Sequence, residues 1–197
     1  LKVFPCEAKM LPDDIHWAGQ LEMAEMIRCG TTGFVDMYYY PQIGADNVLR
    51  TGLRAKLSCG LTETIEQEPG YRVAADAYRR FVEQWDGREW RLRAMMLVHS
   101  PYLPPPGALR EIGALVQQHG YLVHIHLHDT EKEIVESLER YGKRPIALAD
   151  ECGLLTPHTV VAHCVHLNDE DRRILADRGV HVSHCPTSNL KLASGIA

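Results

Sequence analysis

Along nearly the whole chain, short apolar runs alternate with amphipathic segments of helical period, and that alternation leaves few architectures open. Six runs read as strands: Thr31–Met37, Arg54–Cys59, Arg91–His99, Tyr121–His128, Thr159–Cys164 and Val180–His184. The segments between them read as helices. Pro12 opens one that carries Ile15, Leu21, Ala24 and Ile27 and closes at Gly30. A short one runs from Ala45 to Arg50 before Gly52, and another carries Val73, Ala77, Tyr78, Phe81, Val82 and Trp85 up to Gly87. Later ones carry Leu109, Ile112, Leu115 and Val116 up to Gly120, or span Glu131–Tyr141 and Arg144–Cys152. The last is capped by Asn168 and closed by Gly179. Proline at a helix start, asparagine at the N-cap and glycine past the end are the expected punctuation. Strands alternating with helices predict a parallel sheet covered by helices. No Gly-rich phosphate loop follows an early strand, as an open doubly wound sheet would usually show.

Polar residues inside the strands narrow the choice. Strands of a parallel sheet are buried on both faces and should be nearly all apolar. Here Asp36, His99, His124, His126, His128, His163 and His184 sit near strand C-terminal ends. Barrels of eight parallel strands gather their catalytic groups at those ends. The expected fold is therefore α/β, a (β/α)₈ TIM-type barrel in part. It has about six β/α units, because a full barrel takes eight strands and about 250 residues. Residues 1–197 are expected to form a single partial barrel domain from the middle of a longer barrel.

Composition bounds the partners. A hydrophobic content of 45% supports a substantial core, and the formal net charge of −5 comes from interspersed charges. No basic run points to nucleic acid or an anionic membrane. No apolar run reaches the roughly 18 residues of a membrane span, and Leu1–Leu11 lacks the pattern of a signal peptide. The six cysteines are dispersed, with no C-x-x-C pair, and read as reduced thiols of a cytoplasmic protein. A small-molecule substrate is the expected partner, and a homo-oligomer is compatible with the sequence.

Histidine is the unusual residue: nine of the 11 fall between His119 and His184. In Val123-His124-Ile125-His126-Leu127-His128, strand alternation is expected to put all three histidines on the lumen face and the apolar residues on the other. One such histidine would suggest a hydrogen-bonded core residue. Three, with His163 on the next strand, favour metal binding. Asp129 and Glu131 follow directly, and a carboxylate there could shuttle the proton of a metal-bound water. The competing reading makes Asp129 or Thr130 a helix N-cap. His16, His119 and His158 are expected at the surface. His166, His181 and His184 receive no role, and Asn189 and Lys191 are expected in a loop.

Three stretches carry a resemblance: His124-Ile125-His126-Leu127-His128-Asp129-Thr130-Glu131, Ala162-His163-Cys164-Val165-His166-Leu167, and the run from Ser183-His184-Cys185-Pro186-Thr187-Ser188-Asn189 to Ala197. With Glu25–Thr32, Phe34–Tyr38 and His99-Ser100-Pro101-Tyr102, they resemble the amidohydrolase superfamily. The similarity is to its 5′-methylthioadenosine/S-adenosylhomocysteine deaminases and, more distantly, its triazine chlorohydrolases. The resemblance implies a metal-dependent hydrolase that deaminates an adenosine-like nucleoside by attack of a metal-bound hydroxide. The metal is expected to be Zn²⁺, with Fe²⁺ or Mn²⁺ as alternatives. Position by position, it implies His126 as a metal ligand, Asp129 as the carboxylate that protonates the purine ring, and His163 as the histidine orienting the hydroxide. It implies His99, Glu7 and Arg72 as substrate contacts, the last two being equally readable as solvated loop charges. Two other readings stand beside it: hydrolysis of another N-heterocycle, as by a chlorohydrolase or aminohydrolase, and a non-catalytic barrel protein.

The sequence departs from the family in four places. The first-strand histidine pair and the eighth-strand aspartate are not among these 197 residues. With one of the usual four ligands, this polypeptide alone is expected to be inactive. Asp129 stands where the family usually has glutamate, shorter by about 1.5 Å. Cys59 precedes Gly60-Leu61 where enzymes acting on S-adenosylhomocysteine can carry arginine, which weakens the case for a substrate with an amino-acid tail.

Overall fold

A computed structural model describes residues 4–7, 9–61, 69–99 and 105–197, without the side chains at 4, 61 and 69–74. The strands follow one another in the sheet in chain order. They are β1 (Gly33–Asp36), β2 (Arg54–Leu61), β3 (Leu92–Val98), β4 (Val123–Leu127), β5 (Thr159–His163) and β6 (His181–Ser183). The helices are α1 (Phe4–Glu7), α2 (Pro12–Arg28), α3 (Pro41–Thr51), α4 (Pro69–Trp85), α5 (Pro106–His119), α6 (Glu131–Tyr141), α7 (Pro145–Glu151), α8 (Asp169–Asp177) and α9 (Pro186–Lys191). Six strands alternating with helices are what the hydrophobic pattern predicts. The differences lie at the ends. α3 begins at Pro41 rather than Ala45, with proline in its first turn, where its missing N–H costs nothing. α1 and α9 are too short to show a period and were not expected.

The chain divides into two compact units, residues 1–59 with 78–94 and residues 60–77 with 95–197. In the first, β1 pairs in parallel with β2 from Gly33↔Arg54 to Asp36↔Leu57. Its core is built from Met23, Ala45, Val48, Leu57, Tyr78, Phe81, Trp85 and Leu92, all buried. A cavity of about 380 Å³ lies between α2 and β1, lined by Met23, Met26, Phe34 and Tyr39 among others, and none of the expected site residues lines it.

The second unit carries the chemistry. β4 pairs with β3 (Met96↔Val123 to Val98↔Ile125) and with β5 (Val123↔Thr159 to Leu127↔His163), and β5 pairs with β6. All these pairs are parallel, so β4 is covered on both edges. Val123, Ile125 and Leu127 have no exposed surface. The helices pack tightly: a Cβ added to Gly113 of α5 would stand 1.7 Å from the carbonyl oxygen of Cys152, at the end of α7. Asn168 caps α8 as expected, its Oδ1 accepting the Asp171 N–H at 2.8 Å. No helix among the described residues is long and apolar enough to cross a membrane.

Candidate functional site

His126 lies at the centre of four imidazoles. Its ring centroid is 4.9 Å from that of His99, 5.6 Å from His124 and 5.3 Å from His163, each edge to face. His99 lies just past the end of β3, His124 and His126 lie within β4 and His163 ends β5, and the His126 N–H donates to the His99 carbonyl at 3.0 Å. Burial, reinforced by the neighbouring histidines, lowers the pKa of His126 to about 3 and that of His124 to about 4. His99 is lowered by the same causes, desolvation first and then His163. At neutral pH these rings are uncharged and offer nitrogen lone pairs.

His128 does not join them. β4 ends at Leu127, and His128 takes a left-handed backbone with φ 58°, so alternation stops one residue short of it. Its fully buried ring meets the helices instead. Nε2 accepts the Ile146 N–H at 3.2 Å, Nδ1 donates to the His166 carbonyl at 3.2 Å, and the Asp171 carboxylate is 3.5 Å away. Arg144 completes the group, reaching Asp171 at 2.7 Å and the His166 carbonyl at 2.8 Å. The expectation of three histidines on one lumen face is thus corrected to two. His128 is a hydrogen-bonded core residue.

The same turn aims Asp129. Thr130 is the N-cap of α6, its Oγ1 accepting the Glu133 N–H at 3.3 Å, which leaves the Asp129 carboxylate uncommitted. Asp129 Oδ1 lies 3.4 Å from Nδ1 of His163. That nitrogen also faces Oδ1 of buried Asn189 at 2.8 Å. One N–H cannot serve both, and the shorter contact is the hydrogen bond, so Asp129 Oδ1 is buried without a hydrogen-bond partner. Nδ1–H bound to Asn189 leaves Nε2 of His163 as the acceptor. Asn189 was expected in a loop. It lies in α9, and Pro186 in the first turn was the sequence signal for a helix.

Two carboxylate oxygens hold this turn from behind. Glu133 Oε1 accepts the His128 N–H at 3.2 Å and Oε2 accepts the Asp129 N–H at 3.0 Å. Burial pushes the Glu133 carboxyl up to about 7, against the lowering effect of those N–H groups. The loop after β5 is tied to the same turn: Val165 and His166 both donate their N–H to the His128 carbonyl, at 2.9 and 3.2 Å. His163 and Cys164 are also left-handed, with φ 76° and 52°. Such residues cost roughly 1–2 kcal/mol each outside glycine. They persist where surrounding structure over-determines them, as at functional sites.

The other expected contacts are placed less fully. Glu7 belongs to the first unit, where its Oε1 accepts the Tyr38 hydroxyl at 3.0 Å. Arg72 lies in α4, but its side chain is outside the described residues. His166, given no role, ties Nε2 to the Ser194 carbonyl at 2.7 Å.

The model of the Amidohydrolase family matches residues 6–197. A 5-methylthioadenosine/S-adenosylhomocysteine deaminase of Archaeoglobus fulgidus is 41% identical over 197 residues, covering 100% of this chain and 47% of that protein. A 5′-deoxyadenosine deaminase of Methanoregula boonei is 41% identical over 194 residues, covering 98% and 44%. Among solved structures, an adenosine deaminase from Xanthomonas campestris with bound zinc superposes with a TM-score of 0.85 at 29% identity, covering 99% of this chain and 45% of that one. The chain spans about half the length of the proteins it matches, and its fold is the corresponding part of their barrel.

Proposed function

The chain belongs to the amidohydrolase family, and on that premise we propose that the whole protein is a metal-dependent deaminase of an adenosine-like nucleoside. The observation that carries the proposal is the Asp129 carboxylate, buried at Oδ1 without a hydrogen-bond partner and 3.4 Å from His163, whose ring packs against the neutral His126. An orphaned buried acceptor is costly unless something else meets it. A protonated ring nitrogen or an attacking water would do so.

The donor set supplies part of a site for a divalent metal. His126 is half-buried and neutral, the protonation state a zinc ligand requires. Among the described residues no three His, Cys, Asp or Glu side chains come close enough to hold a metal. His126 would therefore supply one ligand of several, and when bound the metal would lower the pKa of a water and polarise it for attack. His163, held by Asn189, offers Nε2 to orient that water. Asp129 takes up a proton and delivers it to the ring nitrogen of the base, so that ammonia can leave. Asp129 Oδ1 lies 3.4 Å from Nδ1 of His163, so the two groups work side by side on the same reacting atoms.

Relatives named for methylthioadenosine, S-adenosylhomocysteine and 5′-deoxyadenosine support a nucleoside with a modified 5′ position. Glu7, oriented by Tyr38, would receive the ribose hydroxyls, His99 would contact the base, and Arg72 would meet the carboxylate of any substrate that carries one. Cys59, in place of a cation, favours substrates without a charged tail. The test is ammonia release by the whole, metal-loaded protein from methylthioadenosine, 5′-deoxyadenosine, adenosine and S-adenosylhomocysteine, with Asp129→Asn alongside. Turnover abolished by the substitution is expected. Absence of turnover on every nucleoside, in protein that binds metal, would exclude this substrate class and leave another N-heterocycle or a non-catalytic role.

A further inference from the structure

We propose that Glu133 is a positioning residue whose carboxylate clamps the backbone of His128 and Asp129 and so fixes the Asp129 side chain beside His163. The proposal rests on the reading of Asp129 as the acid–base group. Glu133 occupies the third position of α6 after the Thr130 cap. In an ordinary capping box a glutamate there folds back to the N–H of the cap residue itself. Here the Thr130 N–H also faces the carboxylate, but its two oxygens additionally take the two preceding N–H groups, one on each, at 3.2 and 3.0 Å. Capping does not require this, since Thr130 Oγ1 already serves the helix terminus.

Chemistry explains the choice of side chain. Glu133 is 6% exposed, and among the described residues no lysine or arginine pairs with it. A buried carboxylate without a counter-charge is costly. When ionised, it is the one group of this length that presents two acceptor oxygens and no donor. Glutamine would offer one acceptor and turn an NH₂ against the second N–H. The clamp therefore does something an amide cannot: it holds two consecutive N–H groups, one on the left-handed His128 and one on Asp129. The geometry of Asp129 follows, because its Cα is anchored through its own N–H and the side chain has only two rotatable bonds. A displacement of about 1 Å at such a group costs on the order of 100-fold in rate. A shorter carboxylate than the family's usual glutamate tolerates less slack.

The experiment compares wild type, Glu133→Gln, Thr130→Ala and Asp129→Asn in the whole, metal-loaded protein by steady-state kinetics, with amide hydrogen exchange at His128 and Asp129. For Glu133→Gln, kcat is expected to fall about 10- to 100-fold with KM changed by less than about threefold, and both amides are expected to lose protection. Thr130→Ala weakens the helix cap but leaves the clamp, so its kcat should stay within about twofold of wild type. Wild-type kcat in Glu133→Gln, with Asp129→Asn inactive, overturns the clamp alone. Full activity in Asp129→Asn overturns the acid–base reading and the positioning role with it. If Glu133→Gln does not fold, the wild-type exchange decides. Protected amides at His128 and Asp129 support the clamp, and exchange as fast as that of unbonded loop amides overturns it.

Discussion

His128→Leu tests whether the third histidine of the β4 stretch belongs to the protein core or to the histidine cluster. Leucine fills similar volume and carries no polar atoms. The substitution strands the Ile146 N–H, now bonded to Nε2 at 3.2 Å in a site with no exposed surface. An unsatisfied buried donor costs about 1–3 kcal/mol. The bond from Nδ1 to the His166 carbonyl is lost as well, worth about 1 kcal/mol net, although Arg144 still reaches that carbonyl at 2.8 Å. Added apolar burial returns roughly 1 kcal/mol. The sum is a loss of about 1–3 kcal/mol, or on the order of 2–12 °C in Tm for a chain of this size. Urea and thermal melts of the metal-free protein measure it, and metal titration of the variant completes the assay. Unchanged stability together with weakened metal affinity would refute the argument, because that outcome belongs to a ligand on the lumen face.

Other expectations concern packing, pH and association. Gly113→Ala should destabilise by at least about 2 kcal/mol, since its Cβ would meet backbone at Cys152 rather than a movable side chain; a neutral melt would show that α5 and α7 separate freely. Asn189→Ala should lower kcat by roughly tenfold by freeing the Nδ1–H of His163, and a wild-type rate would mean that Asn189 only fills space. Metal-free protein should lose stability as pH falls from about 6.5 toward 4, where the unfolded chain takes up protons that folded His124, His126 and His128 refuse. Their folded values lie below the unfolded one, so stability rises with pH, by up to about 1.4 kcal/mol per pH unit for each proton. Glu133, raised to about 7, opposes this: its contribution is present below about 4.5 and fades as pH rises through 7. Three histidines outweigh one glutamate, so the urea midpoint should be lower at pH 5 than at pH 7, and the reverse order would contradict the assignment. Residues 1–197 expressed alone should self-associate, because β1 and β6 each have one paired edge among the described residues and expose Val35 and Val182; a monomer in sedimentation would count against it.

The elements and the site were legible to different depths. Buried parallel strands tolerate few polar residues, so His99, His126, His163 and Asp129 stood out as soon as the strands were found. What failed was extrapolation of a period. Alternation predicts where His128 points only while the backbone stays extended, and nothing local marks a histidine that turns left-handed. That conformation is imposed by Ile146, Asp171 and Glu133, all distant from the strand pattern. Asn189 was overlooked for another reason: α9 is too short to have a periodic face, and only Pro186 announced it. Glu133 was hidden in plain view. Thr130-Glu131-Lys132-Glu133 reads as a capping box, and the sequence does not say that the carboxylate also takes the N–H groups of His128 and Asp129.

The sheet's order has a consequence for how the protein is made. From β3 to β6 each strand pairs with the one that precedes it in the chain. Every closure thus spans one βα unit, and the entropic penalty of loop closure stays small. Synthesis delivers the chain from its N-terminus at about 5–20 residues per second, so each new strand leaves the ribosome to find its neighbour already in place. The edge that waits for the next strand is the exposed one. The rate of translation, rather than a search among distant partners, then sets the pace at which this part of the sheet is built.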